Sequence, residues 1–378
     1  VPATTLIRDL SVAQQQMVEV AKALAVDARI IIMDEPTSAL GEDEVETLFE
    51  IIATLKQQGI AVIFISHRLE EVFRIADRVV VLRDGQRVGN KTISETSPEE
   101  VIRMMVGREL TDMFHKEEAN IGAPLLEVEG LTRRGAVENV SFTLRQGEIL
   151  GFAGLVGAGR TETARLLFGV DRKDGGEIWI DGQPVHIASP HDAVMAGLGF
   201  VPEDRATQGL VLRLPVLENI VLPTLDEHAR RGWVDRRSLR DTAQDFVHKL
   251  NIRTPHLRQK AMFLSGGNQQ KVVLAKWLAL RPKILIMDEP TRGIDVGAKA
   301  EVHALMSELA QQGMGIIMIS SELPEILGMS DRILVMHEGR VAAILERAEA
   351  TQEKIMAYAS GEMGNEIANS MTAKGAEV

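Results

Sequence analysis

The sequence of 378 residues contains no cysteine. That absence excludes disulfides, thiolate zinc sites and cysteine nucleophiles, and it suits a reducing cytoplasm. Long apolar runs are missing too. Segments such as "IAVIFIS" (Ile60 to Ser66) and "ILIM" (Ile284 to Met287) fall far short of the ~20 residues that a membrane-spanning helix needs. No charged-then-apolar stretch precedes Leu6, so any membrane role is expected to be peripheral. Basic residues are in deficit, and the net charge of -12 argues against general affinity for nucleic acid. What is present is a 45% hydrophobic content, ample for packed cores, in a chain long enough for two ordinary domains.

The chain also contains a repeat. "LSVAQQQMVEVAKALAVDARIIIMDEPTSAL" (Leu10 to Leu40) aligns without gaps to "LSGGNQQKVVLAKWLALRPKILIMDEPTRGI" (Leu264 to Ile294), with just over half of the positions identical. The same register carries "ISHR" at Ile65 onto "ISSE" at Ile319 and Gly85 onto Gly339, as expected of a duplicated unit. Both copies alternate strands and helices. "ARIIIMDE" and "PKILIMDE" read as strands buried on both faces, "AVIFISH" and "GIIMISS" as the next buried strands, and "GEILGFAG" as a strand before a helix at "RTETARLLFG". This alternation predicts an α/β fold with a mostly parallel sheet and helices on both faces.

Three elements carry chemistry. "GLVGAGRTE" places Gly154, Gly157 and Gly159 before Arg160 and Thr161 at a strand-to-helix turn. Such a turn presents backbone N–H groups and the positive end of a helix dipole to phosphate oxygens, with the threonine hydroxyl on magnesium. A mere structural turn is the competing reading. Downstream, an apolar strand ends in Asp288 and Glu289, matched by Asp34 and Glu35 in the first copy. The first acid of each pair is placed to hold Mg2+ through water and the second to orient or deprotonate an attacking water, although acids at strand ends also serve as helix caps. In "LSGGNQQK", Ser265, Gly266 and Gly267 open a further helix N-terminus able to meet phosphate; Ser11 opens the corresponding turn of the first copy.

Taken in series, these motifs resemble the ATP-binding cassette family. "LSGGNQQK" with "DEPTRGIDVGAK" is similar to the fused double-cassette ATPases of simple-sugar importers, and "SELPEILGMSDRILVMHEG" to their ribose-type members. The resemblance implies P-loop NTPase cassettes with an antiparallel β subdomain and a helical signature subdomain. It implies two cassettes facing head to tail, each ATP with Mg2+ held between the phosphate loop of one and the signature turn of the other. It further implies integral membrane permease subunits as partners, a periplasmic sugar-binding protein in the complex, and a peripheral location on the cytoplasmic face of the inner membrane. A second ATPase chain is a further partner to expect.

Carried over residue by residue, the resemblance separates two composite sites. One combines Asp34, Glu35 and His67, the last resembling the switch histidine, with Ser265, Gly266 and Gly267; Gly41 departs there from the aspartate found as Asp295 in the second copy. The other combines Gly154 to Thr161, Asp288 and Glu289 with the turn at Ser11, and it departs at most positions. Arg160 replaces lysine, and its planar fork cannot reproduce a compact ammonium inside the loop. Glu203 in "VPEDR" replaces glutamine and is expected to add negative charge near the metal. Ser321 replaces the switch histidine, Val12 and Ala13 replace two glycines, and "LTRRGAVENV" lacks an adenine-stacking aromatic. The second site is therefore expected to hold nucleotide more than cleave it.

In the repeat register, the first copy's phosphate loop would lie about a hundred residues ahead of Val1. The expected division is residues 1–95 as the later part of a first cassette, 96–124 as tail and linker within a polar stretch from Gln86 to Pro124, 125–360 as a second cassette, and 361–378 as a loosely ordered end. Three functional classes stay open at this point: an import ATPase subunit for a monosaccharide, a non-transport cassette ATPase acting on ribosomes or DNA, and a remnant with little or no ATPase activity.

Overall fold

The computed structural model describes residues 2, 4–25, 28–37, 40–66, 68–83, 85–106, 114, 116–230 and 233–362. The chain divides into two compact units, Val1–Leu110 and Thr111–Val378. The end expected to be loosely ordered lies outside the described residues from 363 onward.

In the first unit, helix α1 (Val12–Leu24) starts at Ser11. The Ser11 hydroxyl accepts from the Gln14 amide at 3.2 Å while the Gln14 side chain accepts from the Ser11 amide, a reciprocal cap that satisfies two otherwise unpaired donors. Strand β1 (Ile30–Asp34) pairs in parallel with β2 (Ala61–Ile65), and α2 (Glu42–Gln57) connects them. Leu48, Ile52 and Leu55 of α2 pack on Ile31 and Met33 of β1 and on Val20 of α1. Helix α3 (Leu69–Ile75), the antiparallel pair β3 (Arg78–Arg83) and β4 (Gln86–Thr92), and α4 (Pro98–Val106) follow.

Two expectations for this unit are corrected. Strand β1 is buried on one face, not both, because α2 covers only one side and Ile30 and Ile32 stay 60% and 66% exposed. The polar stretch from Gln86 is not simply tail and linker, since it carries β4 and α4. A small core of Val72, Val79, Val81 and Val101 holds that region together, and alternating polar residues hid it in the sequence.

The second unit begins with β5 (Pro124–Arg133), β6 (Val137–Arg145) and β7 (Ile149–Gly154), then α5 (Arg160–Leu167), β8 (Gly175–Ile180), β9 (Gln183–Pro184), α6 (Pro190–Met195) and β10 (Leu198–Val201). A helical region follows: α7 (Val216–Val221), the short hairpin β11 (Ala229–Arg230) and β12 (Trp233–Val234), α8 (Arg236–Lys249) and α9 (Gly266–Leu278). The chain closes with β13 (Ile284–Asp288), α10 (Val296–Gln311), β14 (Gly315–Ile319), α11 (Leu323–Met329), β15 (Arg332–His337), β16 (Arg340–Glu346) and α12 (Gln352–Ala359).

These strands build two sheets. An antiparallel sheet has the order β6-β5-β8-β9. The main sheet has the order β10-β13-β14-β7-β15-β16, parallel except for β16. All five residues of β13 and of β14 are buried, as the apolar runs predict.

Repeat symmetry extends to register. Ile30 opposite Ala61 reproduces Ile284 opposite Gly315, and the bulge between Val81 and Leu82 reproduces the one between Val335 and Met336. The units differ in what lies between those pairs. In the second unit β7 bridges β14 and β15; among the described residues of the first unit no strand bridges β2 and β3, which stay separate two-stranded sheets.

Candidate nucleotide-binding site

Because β13, β14 and β7 are neighbours and parallel, their C-terminal ends open on the same edge. That edge, outside the carboxyl ends of parallel strands, is where such sheets bind ligands. It carries Asp288 at the end of β13 with Glu289 after it, Ser320 and Ser321 after β14, and the glycine loop at the end of β7.

The loop is built on left-handed backbone. Gly154, Gly157 and Gly159 have φ of 147°, 81° and 98°. A Cβ on Gly154 would lie 2.5 Å from the Met336 carbonyl oxygen, so the sheet itself requires glycine there. Gly159 caps α5 in the left-handed conformation, leaving the first amides of the helix directed at the loop. Arg160 turns inward instead of over the loop: its side chain is largely buried, and Nη1 donates to the Ser320 carbonyl oxygen at 2.8 Å. The arginine thus ties the phosphate loop to the end of β14.

Asp288 is 1% exposed, and neither carboxylate oxygen completes a hydrogen bond. Burial pushes its pKa up to about 6, against the smaller opposing pulls of the nearby Thr161 hydroxyl and the Arg160 charge. A buried, unsatisfied carboxylate beside a threonine hydroxyl is a donor set that fits Mg2+, which takes one or two carboxylates together with phosphate oxygens. Among the described residues no group of three or more His, Cys, Asp or Glu could hold a metal by itself, so substrate phosphates would complete the shell.

Glu289 follows with φ of 48°, and Glu35 in the first unit has φ of 45°. A left-handed conformation at a non-glycine residue costs of order 1 kcal/mol or more, and it recurs at the same repeat position. Each is held by a backbone bond to the neighbouring strand, from the Glu289 amide to Ile319 and from the Glu35 amide to Ile65. Burial lifts the Glu289 pKa to about 7, with Arg160 and the hydrogen bond from Ser321 Oγ at 3.1 Å pulling the other way. A carboxylate titrating there is suited to exchanging a proton near neutral pH. In the first unit Asp34 and Glu35 are exposed, whereas Asp288 is buried and Glu289 half-buried.

The two signature turns share one backbone: Ser11 has φ and ψ of -61° and 157°, Ser265 -63° and 158°. A Cβ on Gly267 would come 2.7 Å from the Ala298 side chain, and one on Gly266 2.9 Å from both the Arg205 guanidinium and the Gly293 carbonyl. Close approach therefore requires both glycines. Val12 and Ala13 hold the corresponding helix positions of the first unit. Asp295 caps α10 by accepting from the Ala298 amide at 2.9 Å; at Gly41 the Glu44 side chain takes the cap instead. His67 lies outside the described residues.

Two residues in the second unit escape sequence reasoning. Arg292 pairs with Glu203, so the negative charge expected at Glu203 is met by a cation. Arg205 donates to the Arg292 and Gly293 carbonyl oxygens at 2.7 and 2.9 Å. One guanidinium thereby joins the segment after β10 to the loop that follows Glu289. Neither contact had a usable signal in the sequence beyond charge near Glu203, because backbone carbonyls leave no trace in residue type.

The sequence matches the ABC transporter family model over residues 137–292. It is 54% identical over 354 residues to the ribose import ATP-binding protein RbsA of Geobacillus kaustophilus, covering 93% of this chain and 71% of that protein. It is 52% identical over 353 residues to the protein of the same name from Bacillus subtilis, covering 93% and 72%. The fold is similar to the ATP-binding cassette MJ0796 in a post-hydrolysis dimer bound to ADP and phosphate, with a TM-score of 0.52 and 22% identity, covering 59% of this chain and 99% of that one. A sheet edge that gathers a glycine loop, a buried aspartate with a half-buried glutamate, and the serine that bonds to it, in a chain more than half identical to these relatives, places this protein in the ATP-binding cassette transporter family.

Proposed function

We propose that this chain is an ATP-binding subunit of a monosaccharide importer, ribose-like in specificity, which couples nucleotide binding and hydrolysis to transport through separate membrane permease subunits. The observation that carries the reading is the convergence of Gly154 to Thr161, Asp288 with Glu289, and Ser321 at the ends of three adjacent strands. The names of relatives more than half identical over 93% of the chain support the substrate class. Among the described residues no helix is long and apolar enough to cross a membrane, which is consistent with a peripheral subunit on the cytoplasmic face, working with a periplasmic sugar-binding protein through the permease. A second ATPase chain is a further candidate partner.

Mg2+ is assigned to Asp288 and Thr161, where it would neutralise phosphate charge. Arg160, folded against Ser320, and Ser321 in place of histidine support a second-unit site that holds ATP more than it cleaves it. Glu35 and His67 would supply the carboxylate and the phosphate contact of a site on the first unit, and Ser265, Gly266 and Gly267 a phosphate-contacting turn on the second.

Calorimetric titration of Mg·ATP tests the reading: the chain should bind it while hydrolysing it at or near background. Failure to bind would overturn the assignment, and robust Glu35-dependent turnover by this chain alone would overturn the expected background rate. Co-purification with ribosomes or DNA in place of an integral membrane permease would reassign the partner class.

A further inference from the structure

One constellation recurs in both units away from the phosphate-contacting residues. In the first unit Glu71 of α3 is buried, and its Oε2 accepts from the Thr37 hydroxyl at 2.8 Å and the Ser66 hydroxyl at 3.0 Å. Arg68 Nη1 lies 2.7 Å from the other oxygen. The repeat register carries Thr37, Ser66 and Glu71 onto Thr291, Ser320 and Glu325, which are 2%, 1% and 1% exposed. In both units the serine hydroxyl also accepts a backbone amide two residues on, Arg68 in the first and Glu322 in the second, at 3.0 Å.

The second unit varies one partner. His303 of α10 stands where the first unit has Phe49, and its Nε2 is 2.5 Å from Glu325 Oε1. Burial would raise the Glu325 carboxyl, but His303 at Oε1 holds it below the ordinary range, while Oε2 completes no hydrogen bond. A buried charge left without such partners is strongly disfavoured, so the cluster is expensive to pull apart.

Its location gives it a role. Thr291 lies two residues after Glu289, and Ser320 directly precedes Ser321. Ser321 donates to Glu289, and the Ser320 carbonyl receives Arg160 from the phosphate loop. We propose that Glu71, which accepts from both hydroxyls, and Glu325 at the equivalent buried position of the second unit are positioning residues that clamp the loop after the acid strand to the loop after the next strand. The clamp fixes the second acid and the switch position relative to the phosphate loop. Its functional consequence rests on the nucleotide-site reading given above; the clamp itself does not.

The test is amide hydrogen exchange on the 378-residue chain, with calorimetric Mg·ATP binding in parallel. Thr291→Val keeps the side-chain volume and removes the hydroxyl equivalent to that of Thr37, so it serves where Glu325→Ala does not fold. Exchange at Ser320 to Glu322 should rise about tenfold in Thr291→Val, together with exchange at Glu289 to Arg292, while the amides of β13 stay unchanged. The Kd for Mg·ATP should rise about tenfold. Faster exchange confined to the loop that contains residue 291 would overturn the clamp. Coupled exchange with parental Mg·ATP affinity would overturn its positioning role. If the parent chain itself binds no Mg·ATP, the nucleotide-site reading fails, and the exchange measurement still decides the clamp.

Discussion

Glu289 should make the second unit less stable as pH rises through neutrality. Burial raises its pKa from 4.5 to about 7 in the folded chain. The folded state then binds the proton more tightly than the unfolded state does. The stabilising effect is fully present below pH 4.5 and is lost as pH climbs through 7. At ~1.4 kcal/mol per pH unit, the rise corresponds to ~3 kcal/mol of stability lost across that window. Glutamine is nearly isosteric and stays neutral, so Glu289→Gln should be ~3 kcal/mol more stable than the parent at pH 8 and close to it at pH 4. Urea unfolding followed by tryptophan fluorescence reads the correct unit, because Trp179, Trp233 and Trp277 all lie within Thr111–Val378. Asp288, with its pKa raised from 3.8 to about 6, contributes a similar loss at lower pH, which both proteins share. A variant no more stable than the parent at pH 8, or a parent whose stability is flat between pH 5 and 8, would refute the reasoning.

Gly159→Ala should abolish Mg·ATP binding and cost ~1–3 kcal/mol, since φ of 98° is unfavourable for alanine and its Cβ would sit 3.0 Å from the Gly339 Cα; calorimetry and urea midpoints measure the two effects. Asp288→Asn should weaken Mg·ATP binding while leaving Mg-free ATP binding in EDTA nearly unchanged, which a pair of titrations checks. Arg292→Ala should change the stability of the second unit by at most ~1 kcal/mol, because the Arg292 and Glu203 side chains are 64% and 40% exposed, and a larger shift in the fluorescence midpoint would contradict that. Leu48→Ala, at a fully buried position of α2, should cost ~2–5 kcal/mol and speed exchange at Ile31 and Met33.

Much of this protein is legible in its residues. The apolar run from Ile284 ends in two acids because a strand between two parallel neighbours must be apolar on both faces, and its polar chemistry then collects at its end. The same run at Ile30 misleads, since the pattern reports what a strand would bury and not whether anything covers it. Phosphate-loop glycines are readable because only left-handed backbone explains them; Gly157 has open space where a Cβ would go, and its φ of 81° alone demands glycine. The strand at Gln86 and the helix at Pro98 are poorly readable, because four valines spread over Val72 to Val101 make a core only once the chain has folded back.

The sequence by itself determined the repeat, the family and the residue types at the nucleotide edge, because duplicated motifs and glycine spacing are local and leave a linear record. Tertiary structure decided the rest. Arg160 turns to Ser320, Arg292 meets Glu203, and Glu71 takes the Thr37 hydroxyl, all through partners far apart in the chain. It also decided which acids titrate near neutrality. That depends on burial, which lifts Asp288 to about 6 and Glu289 to about 7.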